Sequence, residues 1–261
     1  MLDMKRVLAL GRRARGPVGI GMRTRSDAVR MSISEAADRG LPEIVVYENS
    51  KSLCSDLSKG EISSAVRGTL SSTELLPSIK EEFGISTILR VALLVTAGGK
   101  PFFLAPVGID EGNNLDERTE LLRQGVRFLK CLGVRPKIAV LSKGRAEDAR
   151  RGEDISKSLD EGDILTQRAR AMDLEAEHRY ILIEQAVEAA DFLIAPDGVS
   201  GNLIFRSLYF LGKGDAVGAP IVNIPAIFVD TSRDKRSYHD ALALAAGLEA
   251  AREDMRRGDK S

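Results

Sequence analysis

The chain has 261 residues, 43% of them hydrophobic and 29% charged, with no tryptophan. Its 38 basic and 38 acidic residues cancel, so no global field draws it to nucleic acid or to an anionic membrane, and any anion site must be built locally. The length suffices for one large core or two modest ones, and the two distant cysteines, Cys54 and Cys131, offer neither a disulfide framework nor zinc-ligand spacing and fit a reducing compartment.

The N-terminal stretch from Met1 to Gly16 sets Lys5, Arg6, Arg12, Arg13 and Arg15 around an apolar run too short for a signal peptide or a membrane span, so a cytoplasmic protein is expected. Val18 to Met22 reads as a first buried strand, Ser26 to Arg39 as a helix capped by the Ser26 hydroxyl, and Glu43 to Tyr47 as a second strand. Between Lys51 and Ile85 the chain turns polar and hydroxyl-rich around a helix predicted over Thr73 to Phe83. Val91 to Thr96 and Pro101 to Val107 flank Ala97-Gly98-Gly99-Lys100, a tight-turn signal. Strands joined so briefly run antiparallel, which predicts a mixed sheet. Leu115 to Leu132 is amphipathic, with Leu121, Leu122, Val126, Leu129 and Leu132 at helical spacing, and Ile138 to Leu141 follows as a strand. Arg145 to Asp163 offers little apolar burial and reads as a solvated excursion. Glu175 to Ala190 reads as a helix that exposes His178, Phe192 to Ala195 and Ile221 to Val229 as strands, Leu203 to Leu211 as an amphipathic stretch, and Ser237 to Arg257 as an alanine-rich terminal helix. Alternating strands and helices predict parallel βαβ units.

The polar groups fall where strands hand over to helices, the edge at which open α/β sheets hold ligands. Pro196-Asp197-Gly198-Val199-Ser200-Gly201-Asn202 ends one strand. Its glycines let amides approach a ligand, and the helix N-terminus favours an anion such as phosphate; Asp197 and Asn202 serve equally well as plain caps. Ser232, Arg233 and Asp240 follow the last strand. A hydroxyl can bond a thiol or phosphoryl oxygen, a guanidinium can hold phosphate, and a carboxylate can take a proton; the alternative is a helix start with Ser237 as cap and His239 and Asp240 in its first turn. Arg25 with its neighbours Arg23, Thr24 and Ser26, and Arg67 with Ser71, Ser72 and Thr73, are two further candidate anion sites before helices. No cluster has metal-ligand spacing, and no phosphate-loop lysine or serine elbow occurs.

On these residues the chain resembles the phosphate acetyl/butyryltransferase family, and within it the divergent archaeal branch called methanogenesis marker protein 4, or MtxX, which has been labelled methyltransferase-related. The resemblance runs through Pro136-Lys137-Ile138-Ala139-Val140-Leu141-Ser142, Leu193-Ile194-Ala195-Pro196-Asp197, Gly201-Asn202, Arg206 in place of a lysine, Gly218-Ala219-Pro220 and Ser232-Arg233. It implies a two-domain, mixed-sheet α/β fold of the phosphotransacetylase type, related to the isocitrate-dehydrogenase architecture, with an interdomain cleft. Residues 1–82 with 228–261 would form the first domain and 83–227 the second. It also implies acyl transfer between coenzyme A, or its acyl thioester, and phosphate, with no tightly bound cofactor. Ser232, Arg233 and Asp240 would be catalytic, with His239 at the ungapped position of the base. Asp197, Gly201, Asn202, Arg206, Arg67, Ser71, Ser72 and Arg25 would bind substrate. A homodimer is expected. Where the resemblance would place an arginine on the helix after the hydroxyl turn the chain has Leu76, which favours a rival: a methyltransferase-related or accessory protein, with a methyltransferase partner, that keeps the cleft without the activity.

Overall fold

A computed structural model describes residues 9–258, so part of the basic N-terminal stretch lies outside the described residues. Contacts group the described residues into two compact units, one comprising Leu89–Ala216 and the other residues 9–88 together with 217–258. In the latter, strand β1 (Val18–Gly21) leads to helix α1 (Asp27–Asp38), whose N-cap Ser26 accepts from the Val29 amide as expected. Strand β2 (Ile44–Tyr47), helix α2 (Ser50–Lys59), strand β3 (Ser64–Val66) and helix α3 (Ser72–Phe83) follow. Helix α2 and strand β3 lie in the segment that reads as polar. Leu53, Cys54 and Leu57 of α2 are buried with Tyr47, Ile62, Leu70, Leu75 and Ile79, so a single apolar stripe among serines docks the helix.

The middle unit opens with strands β4 (Ala92–Val95) and β5 (Pro101–Ala105), an antiparallel hairpin as its turn predicts. Helix α4 (Leu115–Cys131), strand β6 (Ile138–Leu141), helix α5 (Glu153–Ala171), strand β7 (Ala176–Tyr180), helix α6 (Ile183–Ala189), strand β8 (Phe192–Ile194) and helix α7 (Gly198–Arg206) follow, and a π-helical turn, Ser207–Leu211, extends α7. Strand β5 pairs in parallel with β8, β8 with β6, and β6 with β7. Their carboxyl ends therefore share one edge. The core is aromatic and aliphatic: Phe102, Phe103, Leu104, Leu121, Leu122 and Phe192 are fully buried, and Phe103 meets Phe128 edge-on at 6.2 Å.

Two sequence expectations fail here. The excursion predicted over Arg145 to Asp163 is largely helix α5, because its inner face is built from Ser158, Leu159, Gly162, Leu165, Thr166 and Ala169, small and hydroxylated residues that a hydrophobicity pattern passes over. The helix predicted over Glu175 to Ala190 is strand β7 followed by α6. As a sheet-edge strand β7 carries Glu177 and Arg179 on one face, which suppresses edge pairing and mimics a solvated helix, while His178 on the other face turns inward.

The chain then completes the first sheet with strands β9 (Asp215–Pro220) and β10 (Ile227–Asp230) and ends on helix α8 (His239–Gly258). Strands β2, β1, β3 and β10 lie side by side in parallel, and β9 runs antiparallel to β10. The run predicted as one strand from Ile221 to Val229 is thus a turn and a short strand. Helix α8 buries Ala241 through Ala246 against β3, β10 and α1, where alanine lets the helix sit close to the sheet. Among the described residues no helix is long and apolar enough to cross a membrane.

Candidate functional site

In the unit built from the segments before Leu89 and after Ala216, parallel pairing brings the carboxyl ends of β1, β3 and β10 to one edge, and the loops there lock onto each other. The Thr69 amide donates to Gly21 O at 3.0 Å, Thr69 Oγ1 accepts from the Arg23 amide at 3.3 Å, and the Arg67 amide donates to Val229 O at 3.0 Å. Arg67 is buried and points back along the edge: Nη1 donates to Asp230 Oδ1 at 2.9 Å and Nε to Leu70 O at 2.9 Å. Asp230 Oδ1 also accepts from the Thr231 amide at 2.8 Å. Ser71 occupies the N-cap position of α3, buried and without a side-chain capping hydrogen bond, Ser72 is half-buried, and Arg25 is exposed in the loop after β1.

Two residues beyond Asp230 comes the Ser232–Arg233 turn. Ser232 Oγ accepts from the Asp234 amide at 3.3 Å, and Arg233 is exposed. Behind them sits Tyr238, fully buried, whose hydroxyl donates to the carbonyls of Arg233 (3.0 Å) and Ser232 (3.3 Å). Ser32 of α1 anchors Tyr238 in turn by accepting from its amide at 2.8 Å. The serine and arginine are therefore presented by a turn fixed from beneath. The sequence signals this role of Tyr238 and Ser32 no more strongly than by a large aromatic wedged between Ser237 and His239.

His239 and Asp240 form the first turn of α8. Asp240 is half-buried, whereas His239 is 5% exposed and its Nδ1 is buried without a hydrogen-bond partner. Burial lowers the affinity of His239 for a proton, with Glu35 and Asp240 pulling the other way and Arg39 and Lys235 adding to the fall. A histidine kept neutral by the fold contributes stability that is present above its ordinary pKa and is lost as pH falls below it, because the unfolded chain then takes up the proton more readily. His239→Phe removes that titration. The melting temperature of the variant should drop less than that of the parent between about pH 8 and about pH 5.

In the middle unit, Asp197 ends the segment after β8 and caps α7, with Oδ1 accepting from the Ser200 amide at 2.7 Å and Oδ2 lying 3.1 Å from Lys143 Nζ. Partial burial raises its pKa, but the Ser200 amide and Lys143 outweigh that and hold the carboxylate below its usual range. Gly201 and Asn202 face the loop after β5: the Asn202 side-chain amide donates to Val107 O at 2.8 Å, and a Cβ on Gly201 would lie 1.8 Å from Pro106 O. That loop is pinned by a residue missed in the sequence. Glu111, 1% exposed, accepts from Arg90 Nε at 2.5 Å and from the amides of Gly108 and Val107 at 3.3 and 3.4 Å. Burial raises the Glu111 pKa, opposed by Arg90. A lone arginine inside the apolar run Ile88-Leu89-Arg90-Val91 was the available signal for it. Arg206, at the end of α7, stands over the Phe210 ring at 5.0 Å and is exposed.

The candidate residues thus form two sets, one in each unit. Ser232, Arg233, His239, Asp240, Arg67, Ser71, Ser72 and Arg25 belong to the first; Asp197, Gly201, Asn202 and Arg206 belong to the second. Burial pushes the Cys54 thiol up to about 12, which leaves it inert. Among the described residues no group of three or more His, Cys, Asp or Glu is arranged to hold a metal ion.

The chain is 42% identical over 207 residues to a Methanosarcina mazei protein named "Putative methyltransferase mtx subunit X", covering 79% of this chain and 74% of the relative. A Methanosarcina barkeri protein of the same name is 38% identical over 226 residues, 85% of this chain and 83% of the relative. A phosphate acetyltransferase of Rickettsia typhi is 24% identical over 207 residues, 72% of this chain and 59% of that one. In fold, the chain matches a phosphotransacetylase from Streptococcus pyogenes with a TM-score of 0.67 at 16% identity, covering 97% of this chain and 100% of that one. A branched-chain phosphotransacylase from Enterococcus faecalis matches with a TM-score of 0.65 at 18% identity, over 90% and 98% of the two chains. No protein-family profile matches the chain.

Proposed function

Because the chain belongs to the mtx subunit X family, a divergent branch of the phosphate acetyl/butyryltransferases with the phosphotransacetylase fold, we propose that it transfers an acyl group between coenzyme A and phosphate. The observation that carries this reading is the Ser232–Arg233 turn, held from beneath by Tyr238 and running directly into His239 and Asp240. A thiol of ordinary pKa about 8.5 becomes a better nucleophile when a positioned base removes its proton. Asp240 takes that proton in the reading carried over from the family, and His239, kept neutral by burial, is the competing base. The sulfur then attacks the acyl carbon, the bond from that carbon to the phosphate oxygen breaks, and Arg233 balances the charge of the departing phosphate through its planar fork. Asp197, Asn202 and Arg206 are the substrate-binding set of the middle unit, and coenzyme A is a substrate rather than a resident cofactor.

The names of the relatives support a second reading: a methyltransferase-related or accessory protein, working with a methyltransferase partner, that retains these residues without phosphotransacylase turnover. Mixing the purified protein with acetyl phosphate and coenzyme A, and titrating coenzyme A by calorimetry, separates the two. The acyltransferase reading expects turnover that falls by about a hundredfold or more in Ser232→Ala and in one of Asp240→Asn or His239→Ala. Neither turnover nor coenzyme A binding at millimolar ligand would leave the second reading standing.

A further inference from the structure

A second constellation lies wholly within the middle unit and uses none of the residues above. Ser142 directly follows strand β6 and the parallel neighbour β7 carries His178, with the Ser142 amide donating to Tyr180 O at 3.0 Å. Ser142 Oγ lies 2.9 Å from His178 Nε2, and His178 Nδ1 lies 2.7 Å from Asp163 Oδ1 on helix α5. The imidazole fits there because residue 162 has no side chain: a Cβ on Gly162 would lie 2.5 Å from His178 Nε2. The Tyr180 ring covers the imidazole with its centroid 4.2 Å away. Hydroxyl to Nε2 and carboxylate to Nδ1 is the arrangement by which a serine is made nucleophilic, since a proton held on Nδ1 by the carboxylate leaves the Nε2 lone pair facing the hydroxyl. A purely structural link between strand and helix would not require this order of atoms.

We propose that Ser142, His178 and Asp163 form a nucleophilic triad that accepts an acyl group on Ser142 from a small activated acyl donor, an acyl phosphate or thioester. As Ser142 Oγ bonds to the acyl carbon, its proton passes to His178 Nε2 and Asp163 balances the imidazolium. The carbon–oxygen bond to phosphate, or the carbon–sulfur bond to the thiol, breaks, and His178 returns the proton to the leaving group. Water then attacks the serine ester with His178 again as base, releasing the carboxylic acid and the free hydroxyl. Backbone amides flanking the nucleophile are largely committed: those of Lys143 and Arg145 donate to Ser158 Oγ (3.0 Å) and Asp148 Oδ2 (2.8 Å), which leaves the Gly144 amide of the turn as the oxyanion donor. Ser142 is 2% exposed and its hydroxyl donates to Gly144 O at 3.2 Å, so opening of the Ser142–Arg145 turn must both admit a small donor and free the hydroxyl proton for His178 Nε2.

The test treats the purified full chain with diisopropyl fluorophosphate and, separately, with acetyl phosphate, and reads adducts by intact mass and peptide mapping. A stable adduct on Ser142 is expected with diisopropyl fluorophosphate, and with acetyl phosphate an acetyl ester on Ser142 caught by acid quench before water releases it. Both should be lost in Ser142→Ala, and their rates of formation should fall by about a hundredfold or more in His178→Gln and by a smaller factor in Asp163→Asn, each variant first shown by thermal unfolding to be folded. A folded parent chain that takes no adduct on Ser142, or takes it equally fast in His178→Gln, overturns the proposal. Coenzyme A is absent from the assay, so its outcome is independent of the acyl transfer proposed above.

Discussion

Gly201→Ala should lower the stability of the middle unit by about 3 kcal/mol, near the upper end of what overpacking costs, and reduce the melting temperature by roughly 10 °C. The reason is where the new methyl group would go. Gly201 sits on the face of α7 that meets the loop after β5, and its Cβ would fall 1.8 Å from Pro106 O, a backbone atom. That loop cannot retreat, because Glu111 holds the amides of Val107 and Gly108 while itself held by Arg90. Gly198, one turn earlier on the same face, meets Gly108 O at 1.9 Å in the same way. Relief must therefore come from α7 moving away, which breaks the bond from Asn202 to Val107 O and carries the Asp197 cap with it. Gly152→Ala is the control: nothing lies within 4 Å of its Cβ position and its φ of 170° is ordinary extended backbone. It should leave the melting temperature unchanged. Equal losses in both variants would mean that helix docking does not depend on the missing side chain.

The same pair of glycines marks how far the sequence could be read. Pro196-Asp197 and Gly201-Asn202 pointed to a strand-to-helix junction, and both residues predicted as caps or ligands do make capping or docking contacts, so the local structure was legible from residue types. The helix start was not: it lies at Gly198 rather than Leu203, because Asp197 captures the Ser200 amide and the first turn needs no apolar side chain. Strands β1, β2, β6 and β8 announced themselves as unbroken apolar runs. Helix α5 and strand β7 escaped because burial there is by small and hydroxylated side chains and by a histidine, which periodicity of hydrophobic residues does not register. The same blindness hid the hydrogen-bond partners of functional candidates. Ser232 and Arg233 were visible as a motif, but Tyr238 and Ser32, which fix their turn, lie 6 and about 200 positions from Ser232 and only folding reveals them as neighbours.

Arg67→Met should cost roughly 3–5 kcal/mol, because it breaks a buried ion pair from one side rather than removing a surface charge. Arg67 and Asp230 have side chains only 10% and 8% exposed, so the ion pair is shielded from solvent and its loss is not made good by water. The effect is expected from the carboxylate left behind, not from the attraction lost, and that gives a discriminating second variant. Arg67→Met with Asp230→Asn keeps an oxygen for the Thr231 amide while removing the buried carboxylate's charge, and should recover at least half of the lost stability in chemical unfolding. Recovery has a functional corollary, since Asp230 immediately precedes the segment that presents Ser232 and Arg233. If Arg67 acts only by joining the ends of β3 and β10, the double variant regains whatever phosphate or coenzyme A binding the single variant loses. If Arg67 also grips an anion directly, stability returns and binding does not. A single variant as stable as the parent would show that Asp230 finds another partner and that the buried pair does not organise this edge.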